Sequence, residues 1–247
     1  YLSVDIMFLS GTSNDQCREE NLNNNEVSTK KISSEYIVHP AFRKMENSVV
    51  NNASGKWASE LTGIWVAKFE ASRSDATVEW EWTATTIKSI PSVISATNIK
   101  ISDAYDYCSM TQPALYSHLM KSSEWGATVY LAHSAYGRNG FDISANRNSA
   151  HITGGGSSGT TEYTCTPSKF LSTYAYDANG NDSKAGMHAS TTGNIYGVYD
   201  LAGGVEEYVA TYILNKNENI SEYGESLTDT VMPFMREAYA AANTDSH

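Results

Sequence analysis

Proline is scarce in this chain, at five of 247 residues, and cysteine scarcer, at three. So little proline excludes a collagen-like or proline-rich linker composition. Cys17, Cys108 and Cys165 stand far apart with no CxxC pair, which argues against a zinc cluster or a thioredoxin-like motif. Pairing of two of them and a buried free thiol both stay open. No apolar stretch approaches the length that spans a bilayer. Charged residues make up only 18% of the chain, with no long run of one sign. Among them 28 acidic residues outnumber 17 basic ones, a formal charge of −11 that disfavours nucleic acid and anionic lipid as partners. The six histidines, His39, His118, His133, His151, His188 and His247, show no metal-ligand spacing. The glycine-rich run Gly154–Gly159 lacks the lysine of a phosphate-binding loop and precedes no predicted helix.

Glycine (17) and tyrosine (16) are plentiful, and the hydrophobic share is 40%. This is the profile of an ordered globular chain with many loops, long enough to bury a sizeable core. No linker or internal repeat divides it, so residues 1–247 are expected to form one domain. The opening Tyr1–Leu9 reads as a strand without the basic start of a signal peptide, as in a mature or trimmed chain. Segments 10–34, 144–163 and 177–194, rich in Asn, Ser, Thr and Gly, read as surface loops.

Ile64–Glu70 is predicted as a short strand entered through Gly63. Thr77–Thr83 alternates Glu79 and Glu81 with Val78, Trp80 and Trp82, the pattern of a half-buried strand or an aromatic ligand platform. A helix is expected to start at Ser102 as N-cap, with Ala104, Tyr107 and Cys108 turned to the core. A longer helix over 122–135 carries the stripe Trp125, Thr128, Val129, Ala132 and Tyr136, with Gly137 as its C-cap and His133 in a structural role. Gly203 and Gly204 predict a sharp turn with positive φ, followed by a strand. In the loop Asp177-Ala178-Asn179-Gly180-Asn181-Asp182, oxygen side chains of Asp177, Asn179 and Asn181 alternate as in a calcium loop. Its glycine is at the fourth position and no bidentate Glu closes it, which favours an ordinary Asn-Gly turn over calcium.

Four blocks in order carry a resemblance. They are Ile64-Trp65-Val66-Ala67-Lys68-Phe69-Glu70-Ala71-Ser72, Ile101–Cys108, the Leu119 and Glu124-Trp125 of 119–126, and Gly197–Val209. Together they resemble the formylglycine-generating enzyme (sulfatase-modifying factor) family, a variant of the C-type lectin fold. The resemblance implies an α+β domain with mixed sheets, two main helices and long irregular loops. Residues 1–58 would be an N-terminal strand and loop segment, the blocks would span 64–210, and 211–247 would be a divergent C-terminal segment. That segment lacks the family's R-G-G-S-W and G-F-R signatures, Gly204 replaces the family's Asn and Glu206 its first Trp, and no cysteine here matches the catalytic pair. Formylglycine chemistry is therefore not expected, nor is an enzyme of another kind.

Tyr36–Phe42, His118–Gly137 and Ala189–Asn194 are similar to a non-catalytic branch of that family, on the surfaces of Gram-positive bacteria and their phages, often behind a prepilin-type anchor. The implied function is an extracellular, cofactor-free binding or adhesion module. It would recognise a glycan or protein on another cell through loops between 139 and 194, including Tyr163 and Tyr174, and through Trp80 and Trp82. The alternative is a structural subunit of a pilus-like or fibre assembly, in contact with copies of itself. Neither implies insertion of this chain into a membrane.

Overall fold

Short strands and helices are interspersed along the chain, and the architecture of the described residues is mixed α/β with few helices. The structure, a computed structural model, describes residues 8–9, 36–37, 39–43, 57–72, 87–91, 93–134, 136–138, 143, 145–146, 151–154, 156–158, 161–163, 190–193, 197–214, 218–228 and 232–240. Its two longest helices are α1 (Ile101–Thr111) and α2 (Ser122–His133). Asp103 and Glu124 stand in their first turns, where the helix dipole favours a carboxylate. Between the helices a 3-10 turn at Pro113–Leu115 closes on Tyr116 in the left-handed conformation.

Strands β1 (Phe8–Leu9) and β2 (Tyr36–Ile37) pair antiparallel, as do β3 (Gly156–Ser158) and β4 (Thr161–Tyr163). Farther on, β5 (Thr211–Leu214) and β6 (Glu237–Ala240) run parallel, from the Thr211–Glu237 pair to the Leu214–Ala240 pair. Parallel strands need a crossover. Here it includes the short helices α3 (Glu218–Tyr223) and α4 (Glu225–Thr228). A core cluster of Tyr105 from α1, Ala210, Leu227 from α4 and Met235 forms beneath this unit, with Ile101, Leu119, Tyr212 and Phe234 packed on it. Tyr212, Leu227, Phe234 and Met235, beyond the blocks that carry the resemblance, thus pack with Tyr105 of α1 in this cluster.

Several expectations need correction. Ile64–Glu70 joins no β-ladder, and Trp65 is 84% exposed. Lys100, not Ser102, is the N-cap of α1. Ser102 Oγ instead donates to Ser226 Oγ (2.8 Å) and accepts from the Ser226 N–H (3.0 Å), tying α1 to α4. The inner face of α2 is Glu124, Ala127, Thr128 and Ala132, while Trp125 and Val129 are half-buried and Tyr136 is 52% exposed. A charged residue occupies the centre of that face because ionic partners await it there. The helix closes at Ser134, whose N–H bonds to Tyr130 O and Leu131 O. Gly137 lies beyond, where a Cβ would come within 2.3 Å of Leu131 O. His133 is exposed in the last turn. Within the segments read as surface loops, Gly156–Ser158 and Thr161–Tyr163 pair as β3 and β4, and Ser190, Thr191 and Thr192 are fully buried. Their polar groups are satisfied internally, with Arg138 donating to the carbonyls of Thr191 (3.2 Å) and Ser190.

Trp80, Trp82, Tyr174, Asp177, Asn179 and Asn181 lie outside the described residues, as do Cys17 and Cys165. Tyr163 ends β4, where only its backbone is described.

Candidate functional site

The four sequence blocks meet at one place. Residues 64–67 and 69–71, Ala104 and Cys108 of α1, residues 115–120 with Glu124 and Trp125, and Val198, Tyr199, Leu201 and residues 205–208 together line a cavity of about 680 Å³, within the roughly 300–1,000 Å³ typical of small-molecule sites. Its walls are chiefly apolar and aromatic, including Trp57, Trp65, Tyr116, Trp125, Tyr199 and Tyr208. The stripe on the 122–135 helix predicts Trp125 turned inward. Instead Trp125 is half-buried and Tyr208 is 44% exposed, both facing the cavity. A smaller cavity of about 280 Å³ shares Trp125, Leu201, Val205 and Glu207 with it and is also lined by Gly203 and Val209.

The turn that shapes one wall depends on its glycines. Gly203 and Gly204 have φ of 79° and 74°, the left-handed values predicted for them. A Cβ on Gly203 would fall 2.0 Å from Asn146 O, and one on Gly204 would fall 2.5 Å from Glu70 Oε1. The Gly204 N–H donates to Asn146 O (2.8 Å), and Asn146 Nδ2 donates to Asp200 Oδ1 (3.1 Å). Asp200 is buried, has φ of 63°, and also accepts from the Gly154 N–H (2.7 Å). Burial pushes its carboxyl up to about 6 against those two donors.

Glu70 spans the turn from the opposite wall, accepting from Ser95 Oγ on one oxygen and from the Val205 N–H (3.1 Å) on the other. Burial, reinforced by the neighbouring charges of Asp200 and Glu207, pushes this carboxyl up to about 8. Glu207 accepts a 2.6 Å hydrogen bond from Trp125 Nε1 on Oε2. Although the residue as a whole is open to solvent, packing around its carboxyl and the charge of Asp200 raise it to about 7. Cys108 also lines the cavity, half-buried, and burial lifts its thiol to about 11, so it is a thiol and not a nucleophilic thiolate at neutral pH.

At the α2 end of the cavity is a buried ionic cluster. Lys121 and Glu124 are 0% and 2% exposed, with Lys121 Nζ 3.1 Å from Glu124 Oε1. Lys121 Nζ also donates to Phe234 O (3.0 Å) and sits 4.1 Å above the Trp57 ring. Glu124 Oε2 accepts from the Lys121 N–H (2.9 Å), which is half of a capping box; an ammonium cannot supply the accepting half. His118 Nε2 lies 3.0 Å from the same oxygen, and His118 Nδ1 lies 2.7 Å from Tyr116 O. Burial pushes the Glu124 carboxyl up, but His118 and Lys121 outweigh it and hold the group below its ordinary value. Lys121 is shifted down by burial, against the charge of Glu124.

No known protein family, curated protein or solved structure matches this chain. The site is therefore read from its own geometry. Gly155-Gly156-Ser157-Ser158-Gly159 has the spacing of a nucleophile elbow, but Ser157 lies within a hairpin strand and not at a strand-to-helix turn. Among the described residues no group of three or more His, Cys, Asp or Glu side chains is arranged to hold a metal ion. No helix among them is long and apolar enough to cross a membrane.

Sequence reasoning missed the cavity, and with it Glu70, Asp200 and the Trp125–Glu207 bond. The signal available was the clustering of aromatic residues with Glu70, Glu124, Glu206 and Glu207 in blocks that the resemblance had already marked.

Proposed function

We propose that this chain is an extracellular, non-catalytic binding module on a bacterial or phage surface, and that it takes its ligand, a glycan or a group on a partner protein, into the aromatic cavity. The observation that carries this reading is the cavity itself, where all four blocks contribute wall and exposed aromatic rings stand beside carboxyl groups. Rings of this kind stack on apolar ligand faces, while a few polar groups at the wall fix orientation. A non-catalytic role is supported by how the titratable wall groups are employed. Glu70 is bonded through both oxygens, both His118 ring nitrogens face protein oxygens, and Cys108 is kept as a thiol.

The test is binding to glycan arrays and to whole cells by the intact chain and by Trp65→Ala. Trp65 is 84% exposed, so its loss should leave the melting temperature unchanged. It should weaken binding by roughly tenfold or more, as removal of an aromatic anchor does. Clean arrays and no cell binding would remove the reading.

A second reading, a subunit of a fibre-like assembly, is favoured by one feature. The β5–β6 pair is parallel, a class of sheet that usually has both faces covered, yet it exposes Ile213, Leu214 and Tyr239. Concentration-dependent self-association in sedimentation is its signature, and a strictly monomeric chain would exclude it.

A further inference from the structure

We propose that the cavity selects glycans carrying free ammonium groups, that is, non-acetylated amino sugars, over neutral or N-acetylated ones; this rests on the binding-module reading above. The cavity's ionisable lining is one-sided. Glu70, Glu124, Glu206 and Glu207 contribute to it, together with His118, and among the described residues no lysine or arginine does. The chain as a whole carries −11, which draws cations and repels anions toward the same opening.

Two of the four carboxyl groups are available to a ligand. Glu70 and Glu124 are consumed by Ser95, Val205, Lys121 and His118. Glu206 is exposed, and Glu207 uses only Oε2, in its bond with Trp125. Glu207 lines the cavity beside Trp125, its Oε1 has no hydrogen bond among the described residues, and Tyr208, next in the chain, is also on the wall. An ammonium group bonded to this carboxylate would lie within reach of an aromatic face, the arrangement that recognises organic cations.

The protein already uses this chemistry at the cavity's edge. Lys121 Nζ lies 4.1 Å from the Trp57 centroid, and Lys68 Nζ lies 5.7 Å and 5.6 Å from the centroids of Phe69 and Tyr199. Those rings have protein cations over them; among the described residues no such contact occupies Trp125 or Tyr208. A sugar ring adds an apolar face that stacks on an aromatic side chain. An amino sugar thus presents both features the wall is built to receive, on a body that fits about 680 Å³.

The experiment compares one oligosaccharide in two forms. A β-linked glucosamine disaccharide and its N-acetylated counterpart are titrated calorimetrically into the intact chain at pH 7 and low salt. The free amine is expected to bind about tenfold or more tightly than the acetamide, the factor that one ammonium–ring and one ammonium–carboxylate contact provide. Glu207→Gln retains an oxygen that can accept from Trp125 Nε1, so the wall should stay in place while the preference disappears. Glu206→Gln, an exposed change, should reduce the preference partially with the melting temperature unmoved.

Equal binding of the two forms would overturn the proposal while leaving the glycan-binding module intact. A preference for the amine that survives both glutamine variants would overturn the assignment to this cavity. Binding of neither form would also overturn it, and the module reading would then stand or fall on the arrays and cells.

Discussion

At the scale of single residues, the wall of the cavity is decided by atoms that are missing. Gly203 is left-handed and has Asn146 O 2.0 Å from where a Cβ would stand. Gly203→Ala is therefore both strained and obstructed by backbone, and it should cost about 2 kcal/mol or more in urea unfolding. Gly63 lines the larger cavity with nothing within 4 Å of an added Cβ. Gly63→Ala should stay within roughly 0.5 kcal/mol of the parent. The turn at 203–204 was legible because only glycine takes positive φ without cost. The need for Asp200 in the same conformation was not legible, since its reason is a pair of donors, Gly154 and Asn146, each more than forty residues away in the chain.

Among the elements, helix α2 is the instructive case. Its limits were nearly right, 122–133 against the predicted 122–135, because helix propensity and a polar start are local properties. Its buried face was placed in part, since Thr128 and Ala132 of the predicted stripe are buried. Periodicity assigned Trp125 and Tyr136 inward, whereas the inner face is built on Glu124, which Lys121 and His118 neutralise. Such a pair costs most when half of it is removed. Lys121→Ala should destabilise the fold by about 3–5 kcal/mol, since it leaves Glu124 buried with only His118 facing it. The double change Lys121→Met with Glu124→Leu should cost much less than the sum of the two single changes, a coupling that a denaturant double-mutant cycle measures directly. An additive result would show that the pair is not energetically linked.

For the whole molecule, the raised carboxyl groups set how stability depends on pH. Glu70 moves from an ordinary 4.5 to about 8, Glu207 from 4.5 to about 7 and Asp200 from 3.8 to about 6. Between each lower and upper value the unfolded chain has released its proton while the folded chain retains it, so stability falls as pH rises through that window. Glu207 weighs least, being open to screening by solvent. Two groups oppose the trend at acid pH. Burial and Arg43 depress His39, so its contribution is lost as pH falls below 6.5. Glu124 is held below 4.5, so its contribution is lost in stronger acid. The melting temperature should therefore be higher near pH 5 than at pH 8, and Glu70→Gln, which can keep both hydrogen bonds, should flatten the slope. A melting temperature that rises from pH 5 to pH 8 would refute this account.

The order of helices, the glycine turn and the scarcity of basic charge could all be read from the chain, because each follows from neighbouring residues or from composition. The parallel β5–β6 pair, the burial of Ser190–Thr192 and the assembly of Glu70, Trp125 and Glu207 around one cavity could not. They arise from contacts between segments tens to more than a hundred residues apart, and no local pattern records which distant donor or charge a buried polar side chain will meet.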